Sequence, residues 1–223
     1  FLSLVLALRL MSRSKNLQKA TASLFREILA GFRFARTRPD ILAAFSITII
    51  FNLFGFPFTA LIPVIGIQTL HLTPDGVGMI AATEGIGAMI GAVLAGRSKT
   101  IGQVWVAYGG GVSVCMIGIL IMGTGQDVAW VVTGIIVAGF GAGFFAATQV
   151  MITYRLSPPD QRSRMLGILT FCIGSAPIGF AVLGYMSDWL GTGPALVIMG
   201  VEGIIAMSLF WLIFRHAIRA SAR

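Results

Sequence analysis

The sequence predicts an all-α membrane protein of six transmembrane helices. Its composition, the spacing of its apolar runs and the placement of its positive charge each point there. The 223-residue chain is 57% hydrophobic and 11% charged, with a mean hydropathy of +0.91, which excludes an ordinary soluble domain. Apolar runs of about 20 residues, the length that crosses the hydrocarbon core of a bilayer, recur six times. All 16 Lys and Arg residues fall in four patches. Eight lie between Arg9 and Arg38; the others are Arg97 with Lys99, Arg155 with Arg162 and Arg164, and Arg215 with Arg219 and Arg223. The intervening turns at 70–76, 123–127 and 187–193 carry no Lys or Arg. Cytoplasmic loops retain positive charge. Loops 13–40, 97–103 and 155–164 and the C-terminus are therefore expected inside, and the three bare turns outside.

A net charge of +8 and a pI near 10.5 would suit nucleic acid, but a nucleic-acid footprint would not be cut into loops by membrane spans. Membrane lipid with anionic headgroups is the expected partner, and nucleic acid is not.

Residues 1–10 are apolar but too short to span. Charges follow this run rather than precede it, unlike a signal peptide. Residues 1–12 read as the tail of a truncated transmembrane helix, which would make the chain the C-terminal half of a longer protein. Residues 13–40 form a hydrophilic loop. Within it Leu17, Leu24, Ile28 and Phe32 share a helical face that Lys19, Arg26 and Arg33 avoid, as in an amphipathic helix lying on the inner surface. A plain charged linker also fits. The bundle occupies 41–215, with spans expected at 41–65, 77–95, 104–122, 129–154, 165–185 and 195–214. Residues 216–223 form a basic tail.

Glycine explains how such helices would associate. Most of the 28 Gly lie inside spans, and helices in lipid pack by close backbone approach at small residues. The second span carries Gly78, Gly85 and Gly91 with Gly96 just beyond, and the fifth carries Gly167, Gly174, Gly179 and Gly184. Their similar spacing suggests a three-plus-three repeat in which these two spans are equivalent. The run Gly139-Phe-Gly141-Ala-Gly143 superficially resembles a dinucleotide fingerprint, but lacks the strand and partner acid that fingerprint needs. Cys115 and Cys172 lie within spans and read as small apolar packers. No metal or cofactor is expected.

Ionisable groups deep in the spans are few. Glu84 and Glu202 are costly in hydrocarbon unless protonated, paired or facing water, so each is a candidate functional group. Glu84 shares a helix face with Ala88, Gly91 and Ala95 and should point at a neighbouring helix or a cavity. Asn52, Thr148, Gln149 and Ser175 can hydrogen-bond a ligand or tie helices together. Phe54, Phe56 and Phe58 flank Pro57 and can face a ligand or lipid. Pro57 behind Gly55, and Pro177 between Gly174 and Gly179, should interrupt their helices as hinges or static kinks.

Several stretches resemble a known family. Leu24-Phe-Arg-Glu-Ile-Leu-Ala-Gly31-Phe-Arg-Phe, followed by Arg38-Pro39, is similar to the loop joining the two halves of major facilitator transporters, in the branch of macrolide-efflux and enterobactin-exporter proteins. Ile62-Pro63, Gly76-Val-Gly78 and Gly85-Ile-Gly87-Ala-Met-Ile-Gly91-Ala resemble that branch's seventh and eighth helices. Gln149 and Ser157-Pro-Pro-Asp-Gln-Arg162-Ser-Arg164-Met-Leu-Gly167 resemble the tenth helix and the loop after it, and Pro177-Ile-Gly179 with Gly184 the eleventh. The resemblance runs from about Ser14 to Phe214 and implies one half of a major facilitator fold in a bacterial inner membrane. It also implies efflux of a small-molecule substrate, of drug or siderophore type, by proton-coupled antiport with a missing N-terminal half. Glu84, Asn52, Gln149, Thr148 and Ser175 then lie on cavity-lining helices, and Glu202 on a peripheral one. Arg162 and Arg164 become gate candidates. The loop Gly96-Arg97-Ser98-Lys99 departs from the family in having no acidic latch residue. A six-span channel and an uptake transporter remain alternatives. The chain lacks the phosphate-binding loop of ATP-driven transport, and His71 and His216 sit at span ends, unlike a catalytic pair.

Overall fold

A computed structural model describes residues 31 and 33–221. The regular elements among them are all helical. Six helical stretches are long and apolar enough to cross a membrane: Pro39–Gln68, Pro74–Ala95, Ile101–Thr124, Val128–Leu156, Arg162–Leu190 and Thr192–Ser221. They are called the first to sixth spans. The apolar run at 1–10 and nearly all of the expected amphipathic helix lie outside the described residues. The sixth span continues through Arg215, His216 and Arg219 to Ser221, so the expected basic tail is, as far as Ser221, a helical extension of that span.

Local chemistry sets the span boundaries. Pro39, Pro74 and Pro177 open helices at early positions, where a missing N–H costs nothing. Thr100 and Gln103 form a reciprocal capping box at the start of the third span, and Asp127 caps the fourth by accepting from the Trp130 amide. A single residue, Gly191, turns the chain between the fifth and sixth spans. Its φ of 85° suits a residue without Cβ.

Two spans are broken where proline predicts. In the first, the α-helix Pro39–Ile50 gives way to a π-turn at Phe51–Gly55 and a 3-10 segment at Phe56–Leu61 before helix resumes at Ile62–Gln68. Pro57 has no N–H to give the carbonyl of Leu53, and the winding changes around that gap. The fifth span breaks at Gly174 and Ser175, between Arg162–Ile173 and Ala176–Leu190. The two breaks pack together: a Cβ on Gly179 would lie 2.5 Å from the Leu53 oxygen and 2.8 Å from that of Asn52.

Helix pairing has an internal symmetry. The second span lies along the fourth and the fifth against the first, the third packs on the fourth and the sixth on the first, and the third and sixth pack on each other. Exchanging spans one to three with four to six preserves these pairings. The glycine spacing that suggested this repeat does not create it, because Gly78, Gly85, Gly167 and Gly184 have no neighbour within 4 Å of a built Cβ. Of that set Gly91 and Gly179 do make close backbone approaches, and other glycines add to them. Gly87, Gly91, Gly139 and Gly143 bring the second and fourth backbones together, while Gly111, Gly118, Gly134 and Gly141 do the same for the third and fourth. Between them lies a buried core that includes Trp105, Tyr108, Met116, Ile119 and Ile135.

Hydrogen bonds gather the basic patches at one end of the bundle. Arg38 forms a two-pronged ion pair with Asp40 (3.0 and 2.7 Å) and donates to the Leu156 carbonyl at 3.3 Å, joining the start of the first span to the end of the fourth. That carboxylate holds the guanidinium pKa above its ordinary value. Arg155 reaches the carbonyl of Lys99 at 3.1 Å, and Trp105 donates to Ser221 at 3.0 Å.

Candidate substrate cavity

A cavity of about 330 Å³ opens between four spans. The first contributes Phe51, Asn52, Phe56 and Phe58, the second Glu84 and Ala88, the fourth Ala142, Gly143, Phe145, Ala146 and Gln149, and the fifth Ile173. Its floor depends on the glycine contact between the second and fourth spans. A Cβ on Gly143 would collide with the carbonyl of Ala88, and one on Gly139 with that of Glu84. The two helices therefore touch by backbone, and Glu84 and Gln149 project from them into one space. Ala88 lines the cavity beside Glu84, and Gly91 on the same face is buried against the fourth span, as the expected helix face requires.

Three of the polar candidates meet here. Glu84 is half-buried and has no hydrogen-bond or ion-pair partner among the described residues. Asn52 is buried and donates its amide nitrogen to the Thr48 carbonyl at 2.8 Å. Gln149 leaves Oε1 buried without a donor among the described residues. No Lys, Arg or His is among the lining residues, and Glu84 is their only ionisable side chain.

The other candidates lie outside the cavity lining. Thr148 is fully buried and bonds its own helix at the Phe144 carbonyl, and Ser175 bonds the Cys172 carbonyl within the fifth-span break. Glu202 is exposed on the sixth span. Gly55, Pro57 and Gly179 sit at the packed breaks described above, with Gly174 and Pro177 bounding the fifth-span interruption. Arg162 stacks 3.9 Å from the centre of the Tyr154 ring and donates to its hydroxyl at 2.9 Å, and Arg164 donates to Gln161 at 2.8 Å. Both arginines stand at the basic end of the bundle, remote from the cavity lining. Of the three phenylalanines around Pro57, Phe56 and Phe58 line the cavity and Phe54 does not.

Sequence reasoning missed the wall behind Asn52. Phe51 stacks on Phe145 with ring centres 3.9 Å apart, and Phe145 stacks on Tyr108 at 5.3 Å. Tyr108 is fully buried; its hydroxyl pairs with that of Thr48 and lies 3.1 Å from the Ala44 carbonyl. A buried tyrosine needs such a partner. This tie braces the helical turn that presents Asn52. The available sequence signal was a polar ring tip inside an apolar run, the same signal that singled out Asn52.

Together these features form a water-sized to ligand-sized recess with an unpaired carboxyl, two amides and an aromatic wall at mid-span depth. Comparison with curated proteins finds no matching relative. The pattern described as Major Facilitator Superfamily matches residues 1–178 and 44–222. With that match covering most of the chain and six apolar helices in the fold, the chain belongs to the Major Facilitator Superfamily.

Proposed function

We propose that this chain is the C-terminal six-helix half of a secondary active transporter that exports a small amphipathic molecule by alternating access, coupled to the proton gradient. Family membership supports membrane transport as such. The observation that carries the finer reading is the open cavity at the meeting of the two broken spans, with Glu84 as its one ionisable group. A midplane site beside discontinuous helices suits a rocking mechanism, because the breaks let helix halves tilt while the site stays in place. An unpaired carboxyl facing such a site can load a proton on one side of the membrane and release it on the other. In this reading Asn52 and Gln149 orient substrate, Gly55, Pro57, Gly174, Pro177 and Gly179 supply the hinge, and Arg162 and Arg164 steady the inner gate. The remaining half supplies the facing wall.

The test is gradient-driven accumulation in membrane vesicles from cells expressing the native gene, read with fluorescent amphiphiles of cationic, neutral and anionic type. Glu84→Gln should abolish accumulation while the protein stays inserted and folded, since Gln keeps the shape and hydrogen bonding but cannot ionise. Wild-type accumulation with unchanged pH dependence in that variant would overturn the proton role. Residues 1–223 alone in liposomes should move substrate poorly. Full-rate flux from them would favour a channel.

A further inference from the structure

We infer that the substrate this cavity takes is an organic ammonium: a protonated amine on a compact aromatic or aliphatic body, held by Glu84 against the phenylalanine wall. The inference rests on the transport reading above and names its ligand class. Charge is the first argument. The lining carries one carboxyl and no basic side chain, so this half of the path offers an anionic ligand no partner and one like charge. A cation would meet a carboxylate that has no competing ion pair among the described residues.

Hydrogen-bond supply is the second argument. One N–H of the Asn52 amide is committed to the Thr48 carbonyl, and its oxygen has no donor among the described residues. Gln149 Oε1 is buried and lacks a donor. A ligand that brings N–H groups satisfies an acceptor that the fold leaves buried and open.

Shape is the third. Phe56, Phe58 and the stacked pair Phe51 and Phe145 supply ring faces and edges, and a ring face attracts an ammonium group as well as apolar surface. A volume of about 330 Å³ lies at the small end of ligand pockets. One ring with a short chain fits it. A polycyclic ligand would have to extend beyond this recess.

The experiment compares three isosteres, 4-phenylbutylamine, 4-phenylbutanol and 4-phenylbutyrate, by equilibrium dialysis against detergent-extracted native protein at neutral pH. The amine should be retained at least tenfold better than the alcohol or the carboxylate. Glu84→Gln should remove that preference, and Gln149→Leu should weaken retention of the amine severalfold. Equal or better retention of the carboxylate or alcohol, or an amine preference that survives Glu84→Gln, overturns the inference. A blocked cavity separates this failure from failure of the transport reading. Ala146→Cys places a thiol in the lining, and alkylation with a bulky maleimide should stop vesicle accumulation relative to the same variant unmodified. If blocking stops transport but the amine is not preferred, only the ligand class falls. If transport persists with the cavity blocked, the cavity is not the path and both readings fall.

Discussion

Tyr108 shows how a single side chain organises the cavity without touching its opening. Its hydroxyl joins Thr48 and the Ala44 carbonyl, Thr48 in turn bonds the Ala44 carbonyl at 3.3 Å, and its ring backs Phe145. Tyr108→Phe keeps the ring stack and deletes only the hydroxyl. Hydrogen bonds between membrane helices are individually modest, so the expected stability loss is about 0.6–1.7 kcal/mol, measured by thermal unfolding in detergent. An unchanged unfolding temperature would mean that the tie does not brace the first span. Glu84, Asn52 and Gln149 were legible because a polar residue within an apolar run is conspicuous. Thr148, next to Gln149, looked equally promising in the sequence. A rotation of about 100° per residue along a helix puts one in the cavity and the other in the core, and composition alone does not tell which.

At the scale of the helix, proline and glycine were read correctly in kind but only partly in place. The breaks near Pro57 and between Gly174 and Pro177 follow from covalent chemistry, since a missing N–H is a local property. Which glycines serve packing is not local. Gly78 and Gly85 lie on the same helix as Gly87 and Gly91, yet only the latter two face the fourth span closely. The two classes predict opposite outcomes. Gly143→Ala would drive a Cβ into the Ala88 carbonyl, and because the obstacle is backbone, the helices must separate. A cost of about 1–3 kcal/mol is expected, with loss of transport as Glu84 moves away from Gln149. Gly85→Ala meets nothing within 4 Å and should leave stability unchanged or raise it by up to about 1 kcal/mol through helix propensity. Equal destabilisation by both would mean that the second and fourth spans are not paired through these glycines. Pulse proteolysis or unfolding in mild detergent distinguishes the outcomes.

For the whole molecule, the number of spans was readable because hydropathy and span length are global averages, insensitive to which face each residue takes. The orientation expected from the sequence rests on a different ground: the cations are absent from alternate turns. The fold adds that Arg38, Lys99 and Arg155 lie at one end, tied to one another's segments by hydrogen bonds, while the cation-free turn around Thr73 is at the other. On charge retention we propose that the basic end faces the cytoplasm. Single cysteines test this directly, against a low background because Cys115 and Cys172 are both buried. Cysteines placed at Ser98 and Ser163 should react with a membrane-impermeant thiol reagent only after the inner face is exposed, as in inverted vesicles. One placed at Thr73, which is exposed, should react in intact cells. Ser98 lies between the second and third spans and Thr73 between the first and second, so the pair brackets a single helix of 22 residues. Labelling of the Ser98 cysteine from outside would mean that this helix does not cross, or crosses in the opposite sense. The first outcome, marked by Thr73 and Ser98 cysteines that both react from outside, would put Glu84 outside a membrane-spanning site and remove the basis for a proton-coupling carboxyl there, whereas the second would reverse the expected orientation.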